Sequence, residues 1–377
     1  MEFPAQVPVL SDGVVTLRAP SPSDAAGVVA QCNDPVSIRW TGVPQPYGEE
    51  QALAWLSTSI PAAWTAETGF VFAIDYDGRF AGSVELRPEG GGNAEIAFGL
   101  SGWARGSGVA KRAVRLLLDW GFTSRGYSVV HWRAYAGNWG SRRVAWATGF
   151  HFGATIPGML EQRGARHDAW TGWIGPKDKR EPQTPWFVNP VLETPRVRLR
   201  DWREDELDRM SEARTNDATA HFLPFIRQPF DLAASRWLLG HVRLQAAQGL
   251  RFNWCVADPD TDVAFGNVTL FRLSDPVPPV EGNFPGEGEL GYWGHPEGAG
   301  RGLMSAAVRR IAEWYFTPAA EGGFGGKRLF IGTAASNQAA RRVAEAAGFE
   351  HVGTERAAFP LGDGTVDDKV VYDLLKG

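Results

Sequence analysis

A chain of 377 residues exceeds what one hydrophobic core comfortably supports, so its length predicts about two domains. Its 44% apolar and 21% charged residues are those of an ordinary globular protein and exclude a disordered or coiled-coil one. A net charge of −5 argues against nucleic acid as the main ligand, since phosphate recognition needs a basic surface, and suits cationic partners such as amines.

The start, "MEFPAQVPVLSDG", has an acidic residue at position two, no basic n-region and no long apolar core, which predicts no secretory signal. No apolar stretch approaches the roughly 20 residues that span a bilayer, so no membrane partner is expected. Cys32 and Cys255 lie far apart and form no CxxC pair, as expected of a protein kept in the reducing cytoplasm. The seven histidines show no ligand spacing, so no metal site is expected. The 16 tryptophans read first as packing, with some rings available to line a cleft.

In chain order, "VVTLRAP" has strand character, and "SPSDAAGVVAQCND" reads as a helix capped near Ser23 or Asp24. "EEQALAWLSTSIPAAW" predicts a second helix, broken near Pro61. "FVFAIDYDGRFAGSVELRP" is a hairpin about Asp77-Gly78, followed by the strand "AEIAFGL". "ARGSGVAKR" then opens a helix whose apolar face is Val114, Leu117, Leu118 and Gly121. "SVVHWRAYA" is a strand, "GSRRVAWATGF" a helix ending at Gly149, and "DAWTGWIG" a closing strand. Hairpins combined with a strand–helix–strand crossover predict an α+β domain with a mixed sheet.

The chain then repeats itself. "AEIAFGLSGWARGSGVAKRAVRLLLDWGF" matches "GELGYWGHPEGAGRGLMSAAVRRIAEWYF", so that Glu95, Gly106, Gly108 and Trp120 answer to Glu289, Gly300, Gly302 and Trp314, each 194 residues on. "AGNWGSRRVAWATGF" matches "ASNQAARRVAEAAGF" at an offset of 199, and "VLSDGVVTLR" matches "VLETPRVRLR" at 182. The five extra residues of the later copy fall in "TPAAEGGFGGK", and its main helix offers Val308, Ile311, Ala312 and Tyr315 as the matching face. The expected organisation is one domain over 1–175, a Pro- and charge-rich linker over 176–190, and a second domain over 191–377.

The Gly-x-Gly turns stand where a strand meets a helix. First-turn N–H groups and the helix dipole favour an anion there, and glycines let a phosphate approach the backbone. A Walker loop is absent, and Lys111 and Ser305 stand where a Rossmann fingerprint needs its third glycine.

"RGSGVA", with the strand before it, the helix after it and the later "N…RRVA…GF" helix, resembles the acyl-CoA pyrophosphate motif of the GNAT N-acetyltransferases. "VxLR…D", "GYW…HPE" and "SNxxARRVxExxGF" look most like the RimJ/RimL branch, and the likeness covers both halves apart from the linker. The resemblance implies two tandem domains, each a mixed, mostly antiparallel sheet flanked by helices, with a splayed-strand acyl-CoA cleft. It implies transfer of an acyl group, most simply from acetyl-CoA, to a primary amine of a small molecule or a peptide N-terminus.

The same likeness places the pantetheine arm along the backbone around Leu100, and around Gly294 and His295 in the second copy. The pyrophosphate falls on the N–H groups of Arg105, Gly106, Ser107, Gly108, Val109 and Ala110, or of Gly300, Arg301, Gly302, Leu303 and Met304. Asn138 and Asn337 are the residues expected to meet the arm. Glu95 and Glu289 match the general-base glutamate of histone-type members, and Ser336 the leaving-group acid of RimL-type members. Gly137 replaces that serine in the first copy, and Ala145 and Ala344 stand where many members carry a tyrosine. Ala299 replaces Arg105 in the second copy, and Met304 there is bulky enough to crowd a phosphate. These differences favour the C-terminal copy for chemistry. A non-catalytic acyl-CoA-binding or regulatory protein is the alternative. The two copies act either as a monomer with a pseudo-dimeric domain pair or as a homodimer.

Overall fold

The computed structural model describes residues 7–224, 230–273 and 286–377; residues 1–6, part of the stretch read for a leader, lie outside it. The chain divides into two compact units, Met1–Thr184 and Pro185–Gly377. The stretch read as a linker is shared between them. Asp178 accepts the Gly175 N–H at 2.7 Å within the first unit, whereas Phe187 stacks on Phe252 within the second.

In the first unit, β1 (Leu10–Ser11) and β2 (Val15–Arg18) precede α1 (Ala25–Cys32), α2 (Pro35–Trp40), α3 (Glu49–Ala54) and α4 (Ile60–Thr65). There follow β3 (Phe70–Tyr76), β4 (Arg79–Gly90), β5 (Asn93–Leu100), α5 (Val109–Thr123), β6 (Val129–Tyr135), α6 (Trp139–Ala147), β7 (His151–Gln162) and β8 (Ala165–Ile174). Among the described residues these strands form one eight-stranded sheet in the order β1-β2-β3-β4-β5-β6-β8-β7. Only β5 and β6 run parallel, because α5 is the crossover between them.

The second unit repeats the plan with β9 (Leu192–Glu193), β10 (Arg198–Arg200), α7 (Leu207–Thr215), α8 (Asp217–Phe222), α9 (Leu232–Ala247), β11 (Phe252–Ala257) and β12 (Ala264–Phe271). It continues with β13 (Glu287–Gly294), α10 (Leu303–Phe316), β14 (Arg328–Ala334), α11 (Gln338–Ala346), β15 (Glu350–Pro360) and β16 (Val366–Leu375). Its sheet runs β9-β10-β11-β12-β13-β14-β16-β15, with β13 and β14 parallel.

The apolar faces read from the sequence form the cores. Val114, Leu117 and Leu118 of α5 are fully buried, as are Val308, Ile311 and Tyr315 of α10. The tryptophans mostly pack: Trp64 and Trp120 meet Phe70 and Phe72 edge-on, and Trp314 repeats this with Phe252 and Trp254. In the second unit α10 and α11 cover one face through Leu290, Leu329, Ile331, Val370 and Tyr372, while α7 and α9 cover the other over Trp202, Cys255 and Ala264.

Two local readings change. The second helical region is not broken at Pro61: it runs from Glu49 to Thr65 through a π-helical stretch at Trp55–Ser59. Proline lacks the N–H that a tight helix needs, and the widened turn just ahead of it absorbs that loss. The cap at α1 is a network: Asp24 accepts the Ser21 N–H at 2.9 Å and both terminal nitrogens of Arg18 at 2.8 Å. Glu206 repeats it with the Arg203 N–H and Arg200.

Candidate functional site

In each unit the two parallel strands begin paired and then part. β5 and β6 pair from Asn93↔Val129 to Ile96↔Trp132, and β13 and β14 only from Glu287↔Arg328 to Glu289↔Phe330. Beyond these points the facing strand edges carry no mutual ladder, so their backbone N–H and C=O groups offer an extended ligand the pairing of a missing strand. The outer edge beside each fork is held tight by a glycine. A Cβ on Gly82 would lie 2.1 Å from the Gly99 carbonyl oxygen, and one on Gly266 2.6 Å from that of Trp293. The repeated "AG" and "FG" at these positions were the available sequence signal.

The glycine turns close the far end of each fork. Gly106 and Gly108 both take φ +80°, and Gly300 and Gly302 +73° and +70°. Gly108 and Gly302 are the N-caps of α5, 15 residues long, and α10, 14 residues long. Left-handed glycines at a helix start turn consecutive N–H groups toward one point, an anion cradle. The spots where their side chains would project are open at Gly106, Gly108 and Gly300, so φ and not crowding demands glycine.

The side chains around these turns differ from expectation. Arg105 points away from the cradle, donating to Asp34 at 2.6 Å, Ser37 at 3.3 Å and the Leu100 carbonyl at 3.1 Å. Met304 does not crowd the turn: it packs on the core with its methyl against Gly266 and Gly294. Arg301 stacks over Phe265 and pairs with Asp258 at 3.6 Å. The guanidinium of Arg196, which sequence reading overlooked, reaches the side of Gly302: a Cβ there would lie 3.1 Å from it. His295 is buried, accepts the Glu297 N–H and meets Glu212 at 3.1 Å, a structural cap at the strand end.

Asn138 and Asn337 cap α6 and α11 by accepting N–H groups of Ser141 at 3.1 Å and Ala340 at 3.0 Å. The Ser336 hydroxyl donates to Asp367 at 2.6 Å, and its N–H donates to the same oxygen at 2.8 Å. These two bonds hold Asp367 below the ordinary carboxylate range. Gly137, at the corresponding place, lies beside the Trp40 ring. Tyr292, on β13 past the fork, donates to the Ala340 carbonyl of α11 at 2.8 Å, and burial pushes its hydroxyl well above the usual tyrosine value.

The two glutamates sit at the forks in different surroundings. Glu289 is the last parallel-paired residue of β13 and lines a cavity of about 310 Å³ with Arg272, Phe330, Gly332, Glu355 and Lys369. Burial pushes its carboxyl above the ordinary glutamate range; Arg272 and Lys369 pull it back without cancelling the shift, and Glu355 adds to it. Arg272 lies 3.0 Å away but is 70% exposed, so water screens its charge. Glu95, by contrast, meets Arg133 at 3.2 Å and stands opposite Arg87 on β4. Among the described residues no group of three or more His, Cys, Asp or Glu could hold a metal ion, and no helix is long and apolar enough to cross a membrane.

The family model described as an acetyltransferase (GNAT) domain matches this chain twice, over residues 15–151 and 196–350. No curated protein matches the chain. Solved structures with a similar fold include RimJ of Mycobacterium smegmatis in complex with CoA-disulfide, 22% identical with a TM-score of 0.42, covering 47% of this chain and 91% of that one. Another is RimL, a ribosomal L7/L12 alpha-N-protein acetyltransferase, in complex with coenzyme A, at 15% identity, a TM-score of 0.41, and 45% and 98% coverage. The microcin C7 self-immunity acetyltransferase MccE, in complex with acetyl-CoA and AMP, gives 16%, 0.41, 44% and 93%.

Proposed function

The chain belongs to the GNAT acetyltransferase family, and from that premise we propose that its C-terminal domain moves an acetyl group from acetyl-CoA to an amine, with Glu289 as general base. The observation that carries this reading is the Glu289 carboxyl, raised by burial and lining a cavity at the strand fork. A carboxylate whose affinity for the proton is raised by burial takes one from an ammonium more readily than an ordinary glutamate does.

The acetyl-CoA arm lies along the unpaired edge of β13 past Glu289, toward Gly294. Its pyrophosphate rests on the N–H groups from Gly300 to Met304, and Arg196 supplies the side-chain charge that Ala299 lacks. In the first copy the turn from Arg105 to Ala110 offers the equivalent cradle, with the Arg105 side chain bracing it through Asp34. Asn337 sets the start of α11 beside the arm.

The amine nitrogen attacks the thioester carbonyl carbon while its proton passes to Glu289. As the C–S bond breaks, the thiolate takes a proton. Two hydroxyls stand toward α11, and we assign this proton to Tyr292. Both hydroxyls already donate, but the Ser336 bond to an anionic Asp367 is charge-assisted and costlier to break than the Tyr292 bond to the neutral Ala340 carbonyl, so Ser336 is the poorer donor and better suited to fixing the strand–helix turn. The products are the N-acetyl amine and free CoA.

The acceptor is a primary amine of a small molecule or a peptide N-terminus, and the setting is the cytoplasm, in keeping with two free thiols, Cys32 and Cys255. Thiol release from acetyl-CoA across a library of amines tests the reading. Amine-dependent release lost in Glu289→Gln supports it. CoA binding without release on any amine would establish the non-catalytic binding protein instead, and loss in Glu95→Gln alone would move the chemistry to the first copy.

A further inference from the structure

We infer that Arg133 is a built-in plug that leaves the N-terminal copy an acetyl-CoA site without transfer, and that Gly332 is the residue that admits the acceptor amine to the C-terminal copy. This rests on the acetyl-transfer reading above.

The two residues occupy one point of the repeated sheet. Glu95 faces His131 across the parallel ladder, and Glu289 faces Phe330; two residues on stand Arg133 and Gly332. On the next strand their partners are Thr171 and Val371. Both therefore project on the face that carries the glutamate.

At that point the first copy holds a guanidinium. Arg133 spans Glu95 at 3.2 Å and Glu89 at 2.6 Å, and the other Glu89 oxygen meets His131 at 2.6 Å. Burial pushes Glu89 up, but the bonds from His131 and Arg133 outweigh it and hold the carboxyl below its ordinary value, so the cluster stays charged. The Arg133 guanidinium, only 24% exposed, fills the place beside Glu95 that an acceptor would need, whereas Arg272 beside Glu289 is 70% exposed and open to water.

The second copy has a hydrogen atom where that side chain would begin. A Cβ on Gly332 would lie 2.6 Å from Cε of Lys369 and 3.5 Å from a Glu289 oxygen, so the Lys369 side chain lies across that spot with its ammonium turned to Glu355, and Gly332 itself lines the cavity beside the base. The rest of the cavity is not duplicated either. Lys369 and Glu355, paired in register and 3.5 Å apart, answer to Ala169 and Ile156. The glycine cradle, by contrast, keeps its conformation in both copies.

The full chain tests the inference with calorimetry for CoA and thiol release for turnover. The wild type should bind two CoA molecules per chain; one would overturn an N-terminal acetyl-CoA site. Gly332→Arg should lower kcat/KM for the amine by about 100-fold or more while CoA stoichiometry and affinity hold, since it removes access to a general base. Gly332→Ala should fall between, which guards against a folding defect in the larger variant. Placed on Glu289→Gln, Arg133→Gly should raise amine-dependent release by about tenfold. Wild-type turnover in Gly332→Arg, or no gain in the Arg133→Gly double variant with CoA still bound, overturns the plug.

If the wild type turns over no amine, the acetyl-transfer reading fails and the plug is read chemically. Carbodiimide should then modify Glu289 several-fold faster than Glu95, whose carboxyl Arg133 covers, and Arg133→Gly should erase that difference. Equal rates in the wild type overturn it.

Discussion

Replacing Glu289 by glutamine should move activity and stability in opposite directions. The side chain is only 15% exposed, and burial dominates its raised titration. Its folded value therefore lies above its unfolded one. Between those two values the folded chain holds a proton that the unfolded chain has released, so stability falls as pH rises through this window and stays lower above it. Glutamine carries no charge to bury. The opposing loss is the contact with Arg272 at 3.0 Å, which, with Arg272 70% exposed, is worth about 0.2–1 kcal/mol. Burial is the larger effect, so the C-terminal unit of Glu289→Gln should melt above wild type at neutral pH, with the gain vanishing below the ordinary glutamate range. Turnover should fall by about 10²–10⁴-fold, or about 3–5 kcal/mol of barrier, the contribution of a positioned general base. Scanning calorimetry at several pH values, read beside thiol release, measures both. A variant that melts lower at neutral pH, or keeps its turnover, refutes the assignment.

Other outcomes follow from the same geometry. Arg272→Gln should move the rising limb of the wild-type pH–rate profile to higher pH, because it removes a cation that favours the ionised base, and Glu355→Gln should move it lower; opposite shifts would separate the profile from Glu289. Tyr292→Phe should lower kcat more than Ser336→Ala, with KM for acetyl-CoA changed little in either; the reverse order returns the thiolate's proton to Ser336. Asn337→Ala loses the cap on the Ala340 N–H, about 1 kcal/mol, and should lower the melting temperature of that unit by about 2–4 °C.

The repeat made most of the fold legible. One apolar face on α5, seen again on α10, fixes the crossover and with it the parallel pair at the centre of each sheet. The closing hairpins were harder: β7 exposes half of its residues and β15 most of them, and neither buries any, so no alternation of apolar and polar marks them. At the site, the repeat located the glycine turns and the resemblance to the GNAT family pointed to both glutamates, yet the glutamates looked equivalent. What separates them is the neighbour on the next strand, Arg133 or Gly332, and no local rule links those positions before the register is known. The directions of Arg105 and Met304 were equally hidden, because both are settled by partners distant in sequence, Asp34 for one and Gly266 for the other.

The glycines that hold the outer edge of each fork, Gly82 and Gly266, bear on how such a molecule ages after duplication. A side chain at either position would strike the carbonyl of the facing strand, a conflict between backbone and backbone in which no substrate takes part. Selection for turnover can therefore lapse in one half without freeing that position, since the half must still fold. Divergence should accumulate first where chemistry alone set the residue, as at Arg133, and last along the glycine frame. A retired copy of this domain would keep the outline of an enzyme long after losing its acceptor.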